Sequence, residues 1–322
     1  MNEFELIDRF FRRAPRNADV RIGVGDDGAV LAPSPGMEYV LTVDMLVEGR
    51  HFAAGCDPQA LGHKTLAVNL SDLAAMGALP RFVLLAGALP EPDTTWLAAF
   101  MRGFDALATE YDVELIGGDT TRGPRTFAVT AIGELPTGSA LTRSGANPGD
   151  TVYVSGRIGD ASLALAATAG RTEVDAESLA LLARRLDEPQ PRVALGVALR
   201  GVASSALDIS DGLTGDLGHV LKASRVGATL DLAAIPCADA LRAKLLGSER
   251  ELALGLLLAG GDDYELCFTA SPAMRERVDA IGRALGLPLT PIGSINVDTT
   301  LVVNDEHGTP LAALPRAFDH FG

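Results

Sequence analysis

Cysteine and lysine are scarce in this chain, aromatic residues make up only 5% of it, and long apolar runs are missing. Each shortage excludes something. The three cysteines, Cys56, Cys237 and Cys267, stand far apart with no Cys-x-x-Cys pair. That argues against a disulfide framework or structural zinc and for a reducing compartment. No uninterrupted apolar stretch approaches the ~20 residues of a membrane span. Met1 to Arg13 has no basic start, apolar centre or small-residue cleavage site of a secretory leader. A cytoplasmic protein is expected. The three lysines, Lys64, Lys222 and Lys244, do not complete a Gly-x-x-x-x-Gly-Lys-Ser/Thr loop, so no P-loop is present. His-Arg-Asp and Asp-Phe-Gly are absent, which excludes the protein-kinase apparatus. No Gly-x-Ser-x-Gly elbow occurs, and His51, His63, His219, His307 and His320 show no catalytic spacing. Basic residues are outnumbered, 27 against 42 acidic, for a net charge of −15. Nucleic acid and anionic membranes would meet a repulsive field and are not expected partners.

What is present is material for two α/β layers. At 322 residues, 47% of them hydrophobic, the chain exceeds one domain of ~100–200 residues and can build a core. Asp57-Pro58 reads as an N-cap and first-turn proline opening a helix to about Gly77. A second helix is expected from Asp93 to Glu110, and strands at Tyr39 to Val43, Phe82 to Leu89, Val113 to Ile116 and Phe127 to Leu135. The turn-forming run Gly145-Ala-Asn-Pro-Gly-Asp150 marks the expected boundary, giving domains 1–146 and 147–322. Beyond it, strands are expected at Thr151 to Ser155, up to Asp208, and at Tyr264 to Thr269, Leu289 to Ser294 and Leu301 to Val303. Helices are expected at Asp160 to Ala169 and Gly212 to Ala223, with two alanine- and leucine-rich helices before Arg200. The expected class is α/β (α+β), each domain a mixed sheet packed with helices.

The chemically informative feature is a set of aspartates in small-residue loops at expected strand ends. Asp26 and Asp27 lie in Gly25-Asp-Asp-Gly28, Asp44 follows Leu41-Thr-Val43, and Asp119 lies in Gly117-Gly-Asp-Thr120. Asp208 and Asp211 share Leu207-Asp-Ile-Ser-Asp-Gly212, and Asp262 and Asp263 share Gly260-Gly-Asp-Asp-Tyr264. Asp72 differs, standing in a helix with few other charges, where a lone carboxylate is costly unless a cation meets it. Any one of these is an ordinary turn or cap residue; their number carries the argument. Glycines beside a carboxylate leave room for an ion or phosphate, and hard oxygen donors suit Mg²⁺. Divalent ions also reconcile an acidic protein with a bound nucleotide. Arg122 and Arg143 stand beside these segments as candidate phosphate partners. Gly23-Val-Gly25-Asp-Asp-Gly28 fits a dinucleotide Gly-x-Gly-x-x-Gly, but Ala29-Val-Leu-Ala-Pro-Ser-Pro35 reads as strand and turn where a helix should start.

With these segments in view, the chain resembles the thiamine-monophosphate kinases, within the wider superfamily of aminoimidazole-ribotide synthetase and selenophosphate synthetase. The resemblance runs from Phe4 to Phe321. It rests on Gly23-Val-Gly-Asp-Asp27, Asp44-Met-Leu-Val-Glu-Gly-Arg-His-Phe52, Lys64-Thr-Leu-Ala-Val-Asn-Leu-Ser-Asp-Leu-Ala-Ala-Met-Gly-Ala78 and Ile116-Gly-Gly-Asp-Thr-Thr-Arg-Gly123. It continues through Leu141-Thr-Arg-Ser-Gly-Ala146, Leu207-Asp-Ile-Ser-Asp-Gly-Leu213, Gly260-Gly-Asp-Asp-Tyr-Glu-Leu-Cys-Phe268 and Asp319-His-Phe321. The resemblance implies a homodimer whose N-terminal sheets pair into a barrel. It implies several Mg²⁺ ions on Asp27, Asp44, Asp72, Asp119, Asp208 and Asp211. ATP would meet Gly118, Asp119, Arg143 and Ser210, with Asp119 and Arg143 carrying the catalysis. Thiamine monophosphate would lie near His51, Asp262 and Phe318. The implied reaction is direct in-line transfer of the γ-phosphate of ATP to thiamine monophosphate. A ring-closing synthetase of the same superfamily, a nicotinamide oxidoreductase built on the Gly-rich loop and a non-catalytic metal-binding module are the rival expectations.

Overall fold

The computed structural model describes residues 3–12, 16–24, 28–32 and 34–316. Asp26, Asp27 and Phe318 therefore lie outside the described residues. The chain divides into two compact units, Met1–Leu73 with Ala78–Ala140, and Ala74–Gly77 with Leu141–Gly322.

The first unit runs α1 (Glu3–Phe10), β1 (Val20–Ile22), β2 (Val30–Leu31), β3 (Met37–Val47), α2 (Pro58–Ala75), β4 (Leu79–Leu89), α3 (Thr94–Glu110), β5 (Glu114–Arg122) and β6 (Thr126–Pro136). Strands β1 and β2 pair antiparallel, so Val30–Leu31 is strand, as its sequence predicts. The four-stranded sheet has the order β3-β6-β4-β5, is open, and is antiparallel except for the β4–β5 pair. Asp57 opens α2 as expected, its carboxylate accepting the Gln59 N–H at 3.2 Å. Asp93 caps α3, accepting from the Thr95 and Trp96 amides at 2.9 and 3.0 Å. The two helices cross at glycines. A Cβ on Gly62 would lie 1.9 Å from the Phe100 carbonyl oxygen, and one on Gly103 would lie 1.8 Å from that of Gln59. Beneath α3, Phe100 stacks on Phe127 and Trp96 at 4.4 and 5.5 Å between ring centroids.

The second unit runs β7 (Thr151–Ser155), α4 (Asp160–Thr168), α5 (Ala176–Asp187), α6 (Val193–Leu199), β8 (Ser205–Asp208), α7 (Leu213–Ser224), β9 (Gly227–Asp231) and α8 (Asp239–Leu245). It continues with α9 (Arg250–Ala259), β10 (Leu266–Ala270), α10 (Arg275–Leu285), β11 (Leu289–Asn296) and β12 (Leu301–Asn304). Its six-stranded sheet has the order β12-β9-β11-β7-β10-β8, antiparallel except for β12 beside β9. Val152 and Val154 of β7 pack with Leu213 and Leu217 of α7 and Leu257 of α9 in one core. Two mixed sheets packed with helices agree with the class expected from sequence.

Two sequence expectations are corrected. Asp44 and Asp119 were expected in loops at strand ends, yet both stand inside strands. Strand β3 pairs with β6 without interruption from Met37–Pro136 to Val47–Thr126. In β5, the pairing with β4 slips by one between Val83–Leu115 and Leu84–Gly117, and the strand continues. The glycines here serve close approach. A Cβ on Gly118, at φ +153°, would lie 1.9 Å from the Leu85 carbonyl oxygen. Cys56, Cys237 and Cys267 are free thiols. Among the described residues no helix is long and apolar enough to cross a membrane.

Candidate functional site

In the first unit, strand alternation sorts β3 into two faces. Thr42 and Asp44 share the face that reaches α2, while Leu41, Val43 and Met45 take the other. The Thr42 hydroxyl donates to Asp72 Oδ2 at 2.5 Å, so the Asp72 carboxylate meets a hydroxyl from the strand. The Asp44 amide donates to Asn69 Oδ1 at 2.9 Å, one helical turn before Asp72 on α2. Strand β3 and helix α2 thus bring Asp44 and Asp72 to one side of the sheet. Asp119 is exposed on the edge strand β5, with Gly118 tight against β4 beside it. Past the end of β3, His51 Nδ1 accepts the Val47 amide at 3.0 Å. A neutral ring then carries its proton on Nε2. Arg122 donates from Nε to the Pro90 carbonyl at 3.2 Å.

In the second unit, the turn after β8 gathers Asp208, Ser210 and Asp211. Asp208 is buried, and Ser210 and Asp211 are half-buried. Sequence reasoning missed the residue that shapes this turn. Asp216, in the first turn of α7, accepts the amides of Ser210, Asp211 and Gly212 at 3.0, 3.0 and 3.1 Å. Burial lifts its carboxyl to about 6, against the pull of the amide bonds. An acid three residues into a helix that follows Asp-Gly was the available signal.

The segment Gly260 to Glu265 lies directly beside this turn. Asp262 N–H donates to the Ser210 carbonyl at 2.9 Å, Tyr264 N–H to that of Ile209 at 2.8 Å, and Ile209 N–H to that of Glu265 at 2.8 Å. A Cβ on Gly261 would lie 2.2 Å from the Ser210 carbonyl oxygen, so glycine is required for this approach. The backbone of Asp262 is therefore held against the turn that carries Ser210 and Asp211. Asp263 turns inward and accepts the Gly159 amide on both oxygens at 2.9 Å. Burial, then the charges of Asp160 and Glu265, push its carboxyl well above the usual range, while the Gly159 bond pulls the other way. Glu265 accepts from Ser155 Oγ and Arg185 Nη2, each at 2.5 Å, and from Arg192 Nε at 2.7 Å.

Arg143 is exposed in the chain leading to β7. Ser224 Oγ orders that chain, accepting the amides of Gly145 and Ala146 at 3.1 Å and donating to the Arg143 carbonyl at 3.3 Å. No sequence signal marked Ser224. Among the described residues, no group of three or more His, Cys, Asp or Glu side chains is gathered to hold a metal ion. The carboxylates come in smaller sets with hydroxyls, all hard oxygen. That fits Mg²⁺, which binds through one or two carboxylates, waters and substrate phosphates, in place of an all-protein cage.

Residues 25–135 match the family described as AIR synthase related protein, N-terminal domain, and residues 147–306 match AIR synthase related protein, C-terminal domain. Fold and site thus define a two-domain protein of the AIR synthase related class. Thiamine-monophosphate kinase of Escherichia coli (strain K12) is 45% identical over 321 residues, covering 99% of this chain and 98% of that protein. The crystal structure of thiamine-monophosphate kinase from Stenotrophomonas maltophilia K279a is similar at a TM-score of 0.86 and 45% identity, covering 96% of this chain and 98% of that one. AaThiL complexed with AMPPCP and TMP is similar at a TM-score of 0.77 and 28% identity, covering 90% and 89%. Within that class, the chain belongs to the thiamine-monophosphate kinase family.

Proposed function

We propose that this chain transfers the γ-phosphate of ATP to thiamine monophosphate, releasing ADP and thiamine diphosphate. The observation that carries the reading is the full-length likeness to kinases of this name, with a structural relative held with AMPPCP, an ATP analogue, and TMP.

A phosphate monoester is largely dianionic at neutral pH, so the attacking oxygen needs no strong general base. That oxygen bonds to the γ-phosphorus as the bond to the β-phosphate oxygen breaks, and ADP leaves with the electron pair. No phosphoenzyme forms. The obstacle is mutual repulsion of two anions. Asp27, Asp44, Asp72, Asp119, Asp208 and Asp211 would hold Mg²⁺, and charge neutralisation of the phosphates is what those ions supply when bound. Gly118, Asp119, Arg143 and Ser210 take the nucleotide, with Arg143 offering a planar donor fork to phosphate oxygens and Asp119 orienting the reacting end. His51, Asp262 and Phe318 take the acceptor. The functional division is placed at 146/147, supported by a family match that starts at residue 147.

The reading includes a homodimer built through β3. Leu41, Val43 and Met45 line one face of this edge strand at 64%, 62% and 55% exposure, and an apolar stripe of that kind needs a cover. Pairing of two such sheets gives the barrel. Free thiols and the acidic surface accord with a cytoplasmic enzyme without nucleic-acid or membrane partners.

The test is ADP formation from Mg-ATP with thiamine monophosphate, comparing the natural chain with Asp119→Asn. Acceptor-dependent turnover that drops at least ~100-fold in the variant is expected, a loss typical of removing a key electrostatic group. ADP release only with an amide acceptor would move the reading to a ring-closing synthetase, and trapping of labelled protein after ATP exposure would overturn direct transfer.

A further inference from the structure

Asp262 and Tyr264 both hold left-handed backbone, at φ +68° and +50°. Non-glycine residues adopt this conformation rarely and at a cost, and it persists only where the surroundings over-determine it. The surroundings here do so. The Asp262 and Tyr264 amides are tied to the Ser210 and Ile209 carbonyls, and Asp263 between them is anchored inward on the Gly159 amide. The backbone path that results has a consequence for side chains. The Tyr264 phenol donates to Asp262 Oδ1 at 3.2 Å, although the residues are only two apart. Tyr264 is 8% exposed, whereas Asp262 is half-buried and able to meet a ligand.

We propose that Tyr264 is a positioning residue for the phosphate acceptor, its hydroxyl fixing the Asp262 carboxylate in the orientation that binds thiamine monophosphate. This rests on the acceptor-binding role given to Asp262 above. A carboxylate held in one orientation attracts the cationic thiazolium or amine-bearing ring of the acceptor and repels a triphosphate, so the effect falls on the acceptor and not on ATP. The ring of Tyr264 contributes packing, and its hydroxyl is the part that can be removed without opening a cavity.

The experiment measures steady-state constants for Tyr264→Phe, Asp262→Asn and the double variant. Tyr264→Phe is expected to raise KM for thiamine monophosphate at least roughly tenfold, the factor matching the loss of one hydrogen bond to a charged group. Its kcat, its KM for ATP and its melting temperature should stay near those of the natural chain. Asp262→Asn should raise the same KM at least as far, and the double variant no further, because the phenol acts through the carboxylate. Placing 3-fluorotyrosine at position 264 keeps the donor and makes it more acidic, so KM should stay at or below the natural value. A raised acceptor KM in Asp262→Asn with none in Tyr264→Phe would overturn the positioning role and leave the acceptor role of Asp262 standing. An unchanged acceptor KM in Asp262→Asn would remove that role and the inference with it. Parallel losses in kcat, both KM values and melting temperature for Tyr264→Phe would assign the phenol to structure alone.

Discussion

Replacing Glu265 by alanine separates what burial does to an ion pair from what geometry does. The Glu265 side chain is 0% exposed, and Ser155, Arg185 and Arg192 all donate to it. The pair of Glu306 with Arg250 has comparable geometry, two parallel bonds of 2.8 Å, but Glu306 is 25% exposed. Removing Glu265 takes from Arg185 and Arg192 the buried carboxylate they share, although Asp160 and Asp263 still act on Arg185. Breaking a buried pair this way costs about 3–5 kcal/mol, and the partly wet arginines favour the lower half of that range. At ~2–4 °C per kcal/mol for a unit of this size, the melting temperature should drop by roughly 6–16 °C. Glu306→Ala, losing a surface pair, should cost about 1 kcal/mol or less. Urea and thermal denaturation followed by circular dichroism read both variants. Equal losses in the two, or a Glu265→Ala variant within ~1 kcal/mol of the natural chain, would refute the argument that desolvation decides the difference.

Three further outcomes follow from the same geometry. Gly118→Ala should cost at least about 2 kcal/mol in urea denaturation, because its methyl would meet a β4 backbone oxygen that cannot move aside. Asp216→Ala should cost about 2–4 kcal/mol and speed amide exchange at residues 210 to 212, whose three N–H groups lose their acceptor; Asp216→Asn, with one oxygen left, should do less of both. Hydrogen bonding to Arg250 lowers the Glu306 carboxyl to about 2 from the ordinary 4.5. A depressed folded-state value gives stability that is present above the ordinary pKa and fades as pH falls toward 2, so Glu306→Gln should flatten that acid limb of the stability curve.

Much of this molecule is legible in its residues, and the failures have physical causes. Asp57-Pro58 and Asp93 announce their helices because caps are local chemistry. Helix α9 carries no such signal. Its segment Arg-Glu-Leu-Ala-Leu-Gly-Leu-Leu-Leu-Ala is apolar on most sides since Ala253, Leu256, Leu257 and Leu258 are all buried, so no polar face marks its period. Gly117-Gly118 misleads for a different reason. Glycine signals either a turn or a close approach, and only the neighbouring strand decides which. The aspartates are easy to find, but their supports are not. Asp216 acts four to six positions back, where only its place in the first turn of α7 hints at it, and Ser224 acts on residues 78 and more positions away, through contacts that no motif spacing encodes.

The segment Ala74–Gly77 belongs with the second unit although first-unit sequence flanks it on both sides. There Gly196 lies so close that a Cβ would stand 1.9 Å from the Ala74 carbonyl oxygen, Arg200 Nε donates to the Gly77 carbonyl at 2.5 Å, and the Leu141 amide donates to that of Met76 at 3.0 Å. A gene severed between Ala140 and Leu141 would therefore yield a C-terminal fragment missing two of its own hydrogen-bond acceptors, the Gly77 and Met76 carbonyls. It would also yield an N-terminal fragment carrying a foreign peptide at the end of α2. A split version of this protein is therefore expected to need both pieces present, since the second unit draws those two carbonyls from the first piece.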